Sequence, residues 1–332
     1  MTGSLLQVDH VSKLFAPRGP GLLAGRREPH RALDDISFEV RRGETLGIVG
    51  ESGSGKTTLA RLIVGLATPS TGKISFDGRD INALGRGEKK ALRRQVQLVF
   101  QDPYGSLDPK QSVFEILTEP ARVHRLCDAD ALEERAGEML ELVGLPSTSE
   151  FLMKVPSELS GGERQRIGIG RCLMIGAHLI VADEPVSMLD ASVKAGIVAL
   201  LMDLKRTRAL TYILITHELA LAYRTCDRIA VMHAGRLVEL GPSETVVRTP
   251  RHPYSQLLMD SIPPLVPDPG WAALERDALV PSAADACCPD GCAYYTPCPR
   301  KADICRVKRP PFLEVGTHHF LACHPNSARD AG

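Results

Sequence analysis

An apolar run, Thr45–Val49, leads straight into Gly50-Glu51-Ser52-Gly53-Ser54-Gly55-Lys56-Thr57, and helical apolar spacing follows over Lys56–Leu66. Strand, glycine turn and helix in that order form a phosphate-binding loop: the glycines let backbone N–H groups close around an anion while the helix N-terminus faces it. Lys56 supplies a fixed positive charge for the β- and γ-phosphates of a nucleotide, and the Thr57 hydroxyl is placed for Mg²⁺. Thr58 continues the same turn, so Gly50, Glu51, Ser52, Gly53, Ser54, Gly55, Lys56, Thr57 and Thr58 are the expected phosphate-side residues. A glycine-rich turn carrying an incidental lysine would have no need of this setting.

The rest of the chain fits a sheet built around that unit. Leu5–Val11, Ile36–Val40, Lys73–Asp77 and Gln95–Phe100 have strand length and patterning. From Ser112 to Gly144 the period turns helical, and Tyr104–Pro156 reads as a mostly helical insert. Buried-strand runs recur at Leu179–Ala182 and Thr211–Ile215, with a helix over Ala191–Arg206 between them, and Arg228–His233 and Arg236–Leu240 flank the Ala234-Gly235 turn. Strands alternating with helices predict an α/β fold with a mostly parallel sheet covered by helices. The expected division is a nucleotide-binding domain over residues 1–250, its helical subdomain at about 104–156, and a C-terminal extension over 251–332.

Two carboxylates, Asp183 and Glu184, close the run Leu179–Ala182, and such a strand delivers them to the sheet edge where ligands gather. Asp183 would organise Mg²⁺ through water, and Glu184 would accept a proton from the attacking water. His217 similarly ends the run Thr211–Ile215, and Leu159-Ser160-Gly161-Gly162-Glu163-Arg164-Gln165 opens a helix whose first amides form an anion-binding terminus.

Taken together, the glycine loop and the Leu159–Gln165 string resemble the motifs of ATP-binding-cassette (ABC) ATPases, P-loop proteins in which nucleotide is sandwiched between two cassettes. The resemblance implies a γ-phosphate contact for His217 and a Mg²⁺ and water contact for Gln101, at the end of Gln95–Phe100. It further implies that Ser160, Gly161 and Gly162 meet the triphosphate held by an opposing chain, with Asp190 crossing the interface. Phe15 is the candidate for stacking on adenine. One departure is Glu163, which stands where glutamine is commonest; a carboxylate there should weaken closure unless Arg164 or Arg166 offsets it.

A narrower branch is suggested by Gln101-Asp102-Pro103-Tyr104-Gly105-Ser106, by His252-Pro253-Tyr254 with Ile262-Pro263, and by a cysteine-bearing tail. These resemble the ATPase subunits of dipeptide and oligopeptide importers. The resemblance implies a peripheral subunit on the cytoplasmic face of the inner membrane, docked on two permease subunits and served by an extracytoplasmic solute-binding protein. Nickel, glutathione and other solute importers share much of this pattern. A soluble ABC protein acting on ribosomes or DNA fits less well: the chain balances 40 basic against 40 acidic residues, which argues against a nucleic-acid partner, and no heptad stretch separates the loop from the signature. No apolar run approaches the roughly 18 to 20 residues that cross a bilayer, and Met1–Val11 lacks the pattern of a secretion signal.

Six of the nine cysteines crowd between Cys287 and Cys323, and Cys292, Cys298, Cys305 and Cys323 give C-x5-C-x6-C-x17-C. Three readings compete. Disulfides are disfavoured in a reducing cytosol. Zn²⁺ could take four thiolates, or three with His324. A [4Fe–4S] cluster also takes four thiolates, and the resemblance to importer ATPases with such tails favours it.

Overall fold

The computed structural model describes residues 3–16, 29–102, 104–261, 288 and 290–324. Most of the Ala16–His30 loop, Ile262-Pro263 and Cys287 lie outside the described residues.

Two sheets carry the fold. The larger runs, in spatial order, β11 (Leu313–Gly316), β12 (His319–Leu321), β10 (Arg236–Pro242), β9 (Arg228–His233), β3 (Thr45–Val49), β8 (Thr211–Thr216), β7 (Leu179–Asp183) and β6 (Val96–Val99). The stretch from β9 to β6 is parallel, as the alternation of runs and helices predicts. Strands β3, β7, β8 and β9 are buried at every residue because one face packs toward the smaller sheet and the helix after the phosphate loop and the other against helices, which explains their lack of polar alternation. Parallel strands also end on a common edge, and the phosphate loop, Glu184 and His217 all follow such ends.

The smaller sheet, β2 (His30–Arg41), β1 (Ser4–Phe15), β4 (Thr71–Phe76) and β5 (Arg79–Asp80), is antiparallel and was not anticipated as a separate layer. Its long strands alternate: Leu6, Val8 and Val11 of β1 turn inward while Gln7, Asp9 and His10 are exposed. A strand wetted on one side suits an antiparallel sheet, and apolar content alone did not distinguish the two layers.

Helix α1 (Lys56–Ile63) leaves the phosphate loop, and α2 (Arg86–Gln95) precedes β6. The insert holds α3 (Val113–His124), α4 (Leu132–Leu142) and α5 (Ser149–Met153), which pack on α6 (Gly161–Met174) around Val113, Ile116, Leu117, Leu140, Phe151 and Ile167. A left-handed Arg125 (φ 52°) ends α3, splitting the helical stretch expected over Ser112–Gly144. Helices α7 (Ala191–Arg208), α8 (Leu219–Thr225) and α9 (Ser243–Arg248) complete the cassette side.

Beyond residue 250 come α10 (Pro253–Asp260) and α11 (Asp303–Val307), and then β11 and β12, which extend the large sheet through Glu239↔Leu321 and Leu240↔Phe320. Charge secures this seam. Fully buried Glu239 receives the backbone N–H groups of Arg251 and His252 at 2.9 and 3.0 Å, and His319 Nε2 lies 2.7 Å from it. On the other side buried Asp34 pairs with Arg236 at 2.6 Å, Arg31 at 2.8 Å and Arg309 at 3.5 Å. Burial alone would raise the Asp34 carboxyl; Arg236, then Arg309 and Arg31, bring it below its ordinary range.

Candidate nucleotide-binding site

The loop from Gly50 to Lys56 is shaped by contacts on both sides. Gly50 (φ 153°) comes so close to the β9–β10 hairpin that a Cβ would meet the Met232 carbonyl oxygen at 2.2 Å. Gly55 (φ 103°), just before α1, would clash with the Ala32 carbonyl at 2.5 Å, and its left-handed backbone favours glycine as well. Lys56 is buried, and its Nζ donates to the carbonyls of Gly50 (2.7 Å) and Glu51 (2.6 Å) and reaches Ser54 Oγ at 3.4 Å. Burial pushes the ammonium below its usual range, opposed by Glu184, Asp183 and Glu51. A phosphate entering the loop offers this cation an anionic acceptor in place of neutral carbonyls. Ser52, Gly53 and Thr57 are exposed at the mouth, whereas Ser54 is buried and Thr58 half-buried.

Asp183 and Glu184 stand at the end of β7 in different environments. Asp183 is 6% exposed, its Oδ1 has no hydrogen-bond partner among the described residues, and burial raises its carboxyl despite a hydrogen bond from Thr57. A buried carboxylate with an unused oxygen, bonded to the loop hydroxyl, fits a hard divalent cation. Glu184 is partly open and adopts a left-handed backbone (φ 46°), held by its N–H on Ile215 O (2.9 Å) and by Ser187 Oγ on its carbonyl (3.1 Å). A non-glycine residue in that region costs of order 1–3 kcal/mol, and such strain gathers at functional sites.

The Glu184 carboxylate ties three sequence-distant segments together. Gln101 Nε2 donates to Oε2 at 3.0 Å, and His217 Nδ1 lies 3.2 Å from the same oxygen. Gln101 and His217 are exposed toward solvent. An anion oriented by an amide and an imidazole at a wet edge can accept a proton from water.

The signature segment opens α6. Ser160 caps the helix, accepting from Glu163 N–H at 3.3 Å, while Glu163 Oε2 takes the Ser160 N–H at 2.8 Å and its hydroxyl at 2.7 Å. Burial pushes the Glu163 carboxyl up, but the Ser160 bonds prevail and hold it below its ordinary range. Both arginines that could offset this charge are engaged elsewhere: Arg164 Nε donates to the Pro156 carbonyl and its guanidinium lies 4.1 Å over the Tyr104 ring, while Arg166 donates to the Val143 carbonyl. Glu163 is thus turned back into its own cap, an outcome legible in the serine-to-glutamate spacing. Ser160 is exposed, Gly161 lies against Leu189 and Tyr104, and a Cβ on Gly162 would meet Val193 Cγ1 at 2.5 Å. Asp190 caps α7 by position only and is exposed. Phe15 ends β1, 44% exposed, with Lys13 Nζ 5.3 Å from its ring centroid.

In the tail, Cys288, Cys292, Cys298 and Cys305 are free thiols. Cys298, Cys305 and Cys323 lie within electrostatic reach of Cys292, whose thiol burial lifts to about 11. Among the described residues no three His, Cys, Asp or Glu side chains are gathered closely enough to hold a metal ion. Neither of the metal sites expected for this segment, zinc or an iron–sulfur cluster, is preformed among the described residues.

Sequence reasoning missed one participant. Tyr254, from the start of α10, reaches the phosphate loop: its hydroxyl accepts the Glu51 N–H at 3.1 Å across 203 residues of chain. Its motif was visible as a string, but no spacing rule ties it to the loop.

Comparison with known proteins agrees with this geometry. The ABC transporter family matches residues 33–187, and the family described as oligopeptide/dipeptide transporter, C-terminal region, matches residues 238–305. The chain is 42% identical over 326 residues to the probable peptide ABC transporter ATP-binding protein y4tS of Sinorhizobium fredii, covering 98% of this chain and 90% of that protein. It is 39% identical over 325 residues to the oligopeptide transport ATP-binding protein AppF of Bacillus subtilis, covering 97% of each. Among solved structures, the ATP-binding cassette MJ0796, a dimer in a post-hydrolysis state with ADP and Pi, superposes with a TM-score of 0.62 at 27% identity, covering 72% of this chain and 98% of that one. CbiO1 from Clostridium perfringens, part of the transporter complex cbiONQ, gives 0.61 at 26% identity, covering 77% and 98%.

Fold and site therefore define an ATP-binding-cassette ATPase. Within that class the chain belongs to the family of peptide and oligopeptide ABC transporter ATP-binding proteins.

Proposed function

We propose that this ATPase energises the import of dipeptides or oligopeptides. It would work as a peripheral subunit on the cytoplasmic face of the inner membrane, paired with a second ATPase chain, identical or related, beneath two permease subunits fed by an extracytoplasmic binding protein. The observation that carries this reading is the oligopeptide/dipeptide C-terminal region over residues 238–305, joined to a cassette whose relatives are named for peptide transport. No helix among the described residues is long and apolar enough to cross a membrane.

In each turnover Lys56 and the loop amides from Gly50 to Thr58 hold the triphosphate, and Phe15 stacks on adenine. Thr57, Asp183 and Gln101 would hold Mg²⁺, supported by the unpartnered Asp183 Oδ1 and its Thr57 bond. Mg²⁺ bound there neutralises charge developing on the β- and γ-oxygens. Glu184 takes the proton of the attacking water; Gln101, which donates to its carboxylate, and His217, 3.2 Å from the same oxygen, orient it. Ser160, Gly161 and Gly162 of the opposing chain bring a helix N-terminus to the γ-phosphate, and Asp190 spans the interface. The exposed Ser160 and the dimeric form of the solved cassette MJ0796 support that arrangement.

Cys292, Cys298, Cys305 and Cys323 would be the thiolates that hold a structural [4Fe–4S] cluster. The support is the four-cysteine spacing and the electrostatic action of Cys298, Cys305 and Cys323 on Cys292, set against the lack of any gathered ligand group among the described residues. Iron and sulfide analysis of anaerobically purified protein tests it: metal-free protein, or zinc alone, rejects the cluster.

Uptake of labelled di- and tripeptides tests the transport reading, comparing cells that lack this chain with cells that regain it. Restored peptide uptake is expected, and its loss again with Glu184→Gln. Unchanged peptide uptake without the chain rejects a peptide cargo while leaving the ATPase assignment untouched.

A further inference from the structure

Behind the phosphate loop lies an aromatic group that the hydrolytic chemistry does not use. Tyr254 is fully buried, with His233 at 4.4 Å and Tyr294 at 5.4 Å between ring centroids; His233 and Tyr294 meet edge-on at 5.3 Å. The helix that carries Tyr254 is anchored independently of the loop. His252 Nδ1 accepts the Tyr254 N–H at 3.1 Å, and the N–H groups of Arg251 and His252 end on buried Glu239 of β10. From this fixed base the Tyr254 hydroxyl accepts the Glu51 N–H. Glu51 is where the chain leaves β3 for the loop, and the neighbouring Gly50 is already pressed against Met232 O. Its direction sets that of the amides that follow.

We infer that Tyr254 is a positioning residue of the nucleotide site: its hydroxyl fixes the entry to the phosphate loop, and Tyr294, between Cys292 and Cys298, walls its ring so that the cysteine-bearing segment bears on the loop. A phenylalanine would fill the same space, so packing alone does not call for the hydroxyl. The one polar atom of the ring meets a backbone N–H that would otherwise lose its partner in a half-buried place. The inference rests on the loop being the ATP site and is independent of the transported solute.

The test uses the full-length chain with Tyr254→Phe, reading equilibrium Mg-ATP affinity by calorimetry, thermal unfolding without nucleotide, and amide exchange of the peptide covering residues 50–56. The Kd for Mg-ATP is expected to rise about five-fold, roughly 1 kcal/mol at 1.4 kcal/mol per tenfold. The nucleotide-free midpoint should fall by no more than about 3 °C, and loop exchange should quicken. Tyr223→Phe, which removes an exposed hydroxyl bonded to Arg248, should leave the Kd unchanged. An unchanged Kd and loop exchange in Tyr254→Phe, with or without a drop in midpoint, would overturn the inference, since the hydroxyl would then only pack. Should Tyr254→Phe yield no folded protein, Tyr294→Leu keeps the hydroxyl and removes its wall; a Kd raised about two- to three-fold supports the account, and an unchanged Kd overturns it. Absence of Mg-ATP binding in the parent chain would reject the ATP site itself, a different failure from a null result in the variants.

Discussion

The Gln101 side-chain amide donates to the Glu184 carboxylate across 3.0 Å, joining residues 83 positions apart. Gln101 follows edge strand β6, whereas Glu184 follows the neighbouring β7, so parallel pairing from Val96↔Leu179 to Val99↔Ala182 delivers both to one rim. Segment 101–106 continues toward the helical insert, and Tyr104 of that segment packs under Arg164 of α6.

Glu184→Gln keeps the size and the Gln101 contact of that side chain but removes its basicity. Mg-ATP affinity should stay within about two-fold of the parent, while turnover falls about 100-fold or more, as expected for loss of a general base. Steady-state phosphate release beside equilibrium nucleotide binding reads both. Turnover near the parent level would remove Glu184 from the role of base.

Glu163→Gln tests the effect of the capping carboxylate. Glutamine retains an oxygen for Ser160 N–H and the hydroxyl, so α6 should keep its start, while a negative charge leaves the signature terminus. The KM for ATP should fall about two- to three-fold, in line with the fractions of a kcal/mol such charges carry at helix ends. Glu163→Ala instead breaks the box and should cost about 1 kcal/mol of stability. A KM unchanged by Glu163→Gln would show that the charge does not reach the nucleotide.

Asp34→Ala should be among the most damaging substitutions outside the nucleotide site. Asp34 and Arg236 are 6% and 12% exposed, and Arg309 joins them from the extension. Removing the carboxylate strands cationic groups in a poorly hydrated seam, with an expected loss of about 3 kcal/mol. Denaturant unfolding measures it, and a loss below about 1 kcal/mol would show that solvent screens the cluster.

Acid should weaken the seam between cassette and extension. Burial drives His233 to about 4 and His252 to about 3, so both stay neutral in the folded chain where free histidines would be charged. As pH falls below about 6.5, the unfolded state takes up protons that the folded state refuses, and stability falls by up to about 1.4 kcal/mol per pH unit for each ring until pH nears their folded values. Glu239 acts in the same direction at lower pH: burial raises its carboxyl, but His319, Ser255 and the Arg251 and His252 amides more than offset this, and the stability it lends is lost only as pH falls below the ordinary carboxylate range. Unfolding midpoints between pH 7 and pH 4.5 should therefore drop steadily, and a flat profile would mean these groups titrate freely.

The sequence was most informative where local rules act alone. The β3–loop–α1 unit, the carboxylates after β7 and the helix start at Ser160–Gly162 all follow from short-range spacing. The antiparallel sheet was harder to read, because β1 and β2 are strand-like by pattern but nothing local says which partner they choose. Contacts of long sequence separation were illegible for the same reason: Tyr254 with Glu51, and Arg309 with Asp34, depend on how the extension folds back over the sheet. Glu163 was read for its charge alone, although its three-residue spacing from Ser160 also predicts a capping box.

Two cassettes closing on one triphosphate is the central claim, and turnover per chain across a dilution series, with sedimentation measured on the same samples, tests it most directly. The account predicts that ATP hydrolysis fades as the population becomes monomeric and returns when a second ATPase chain is supplied. Full-rate hydrolysis by a preparation that sediments as a monomer throughout would contradict it.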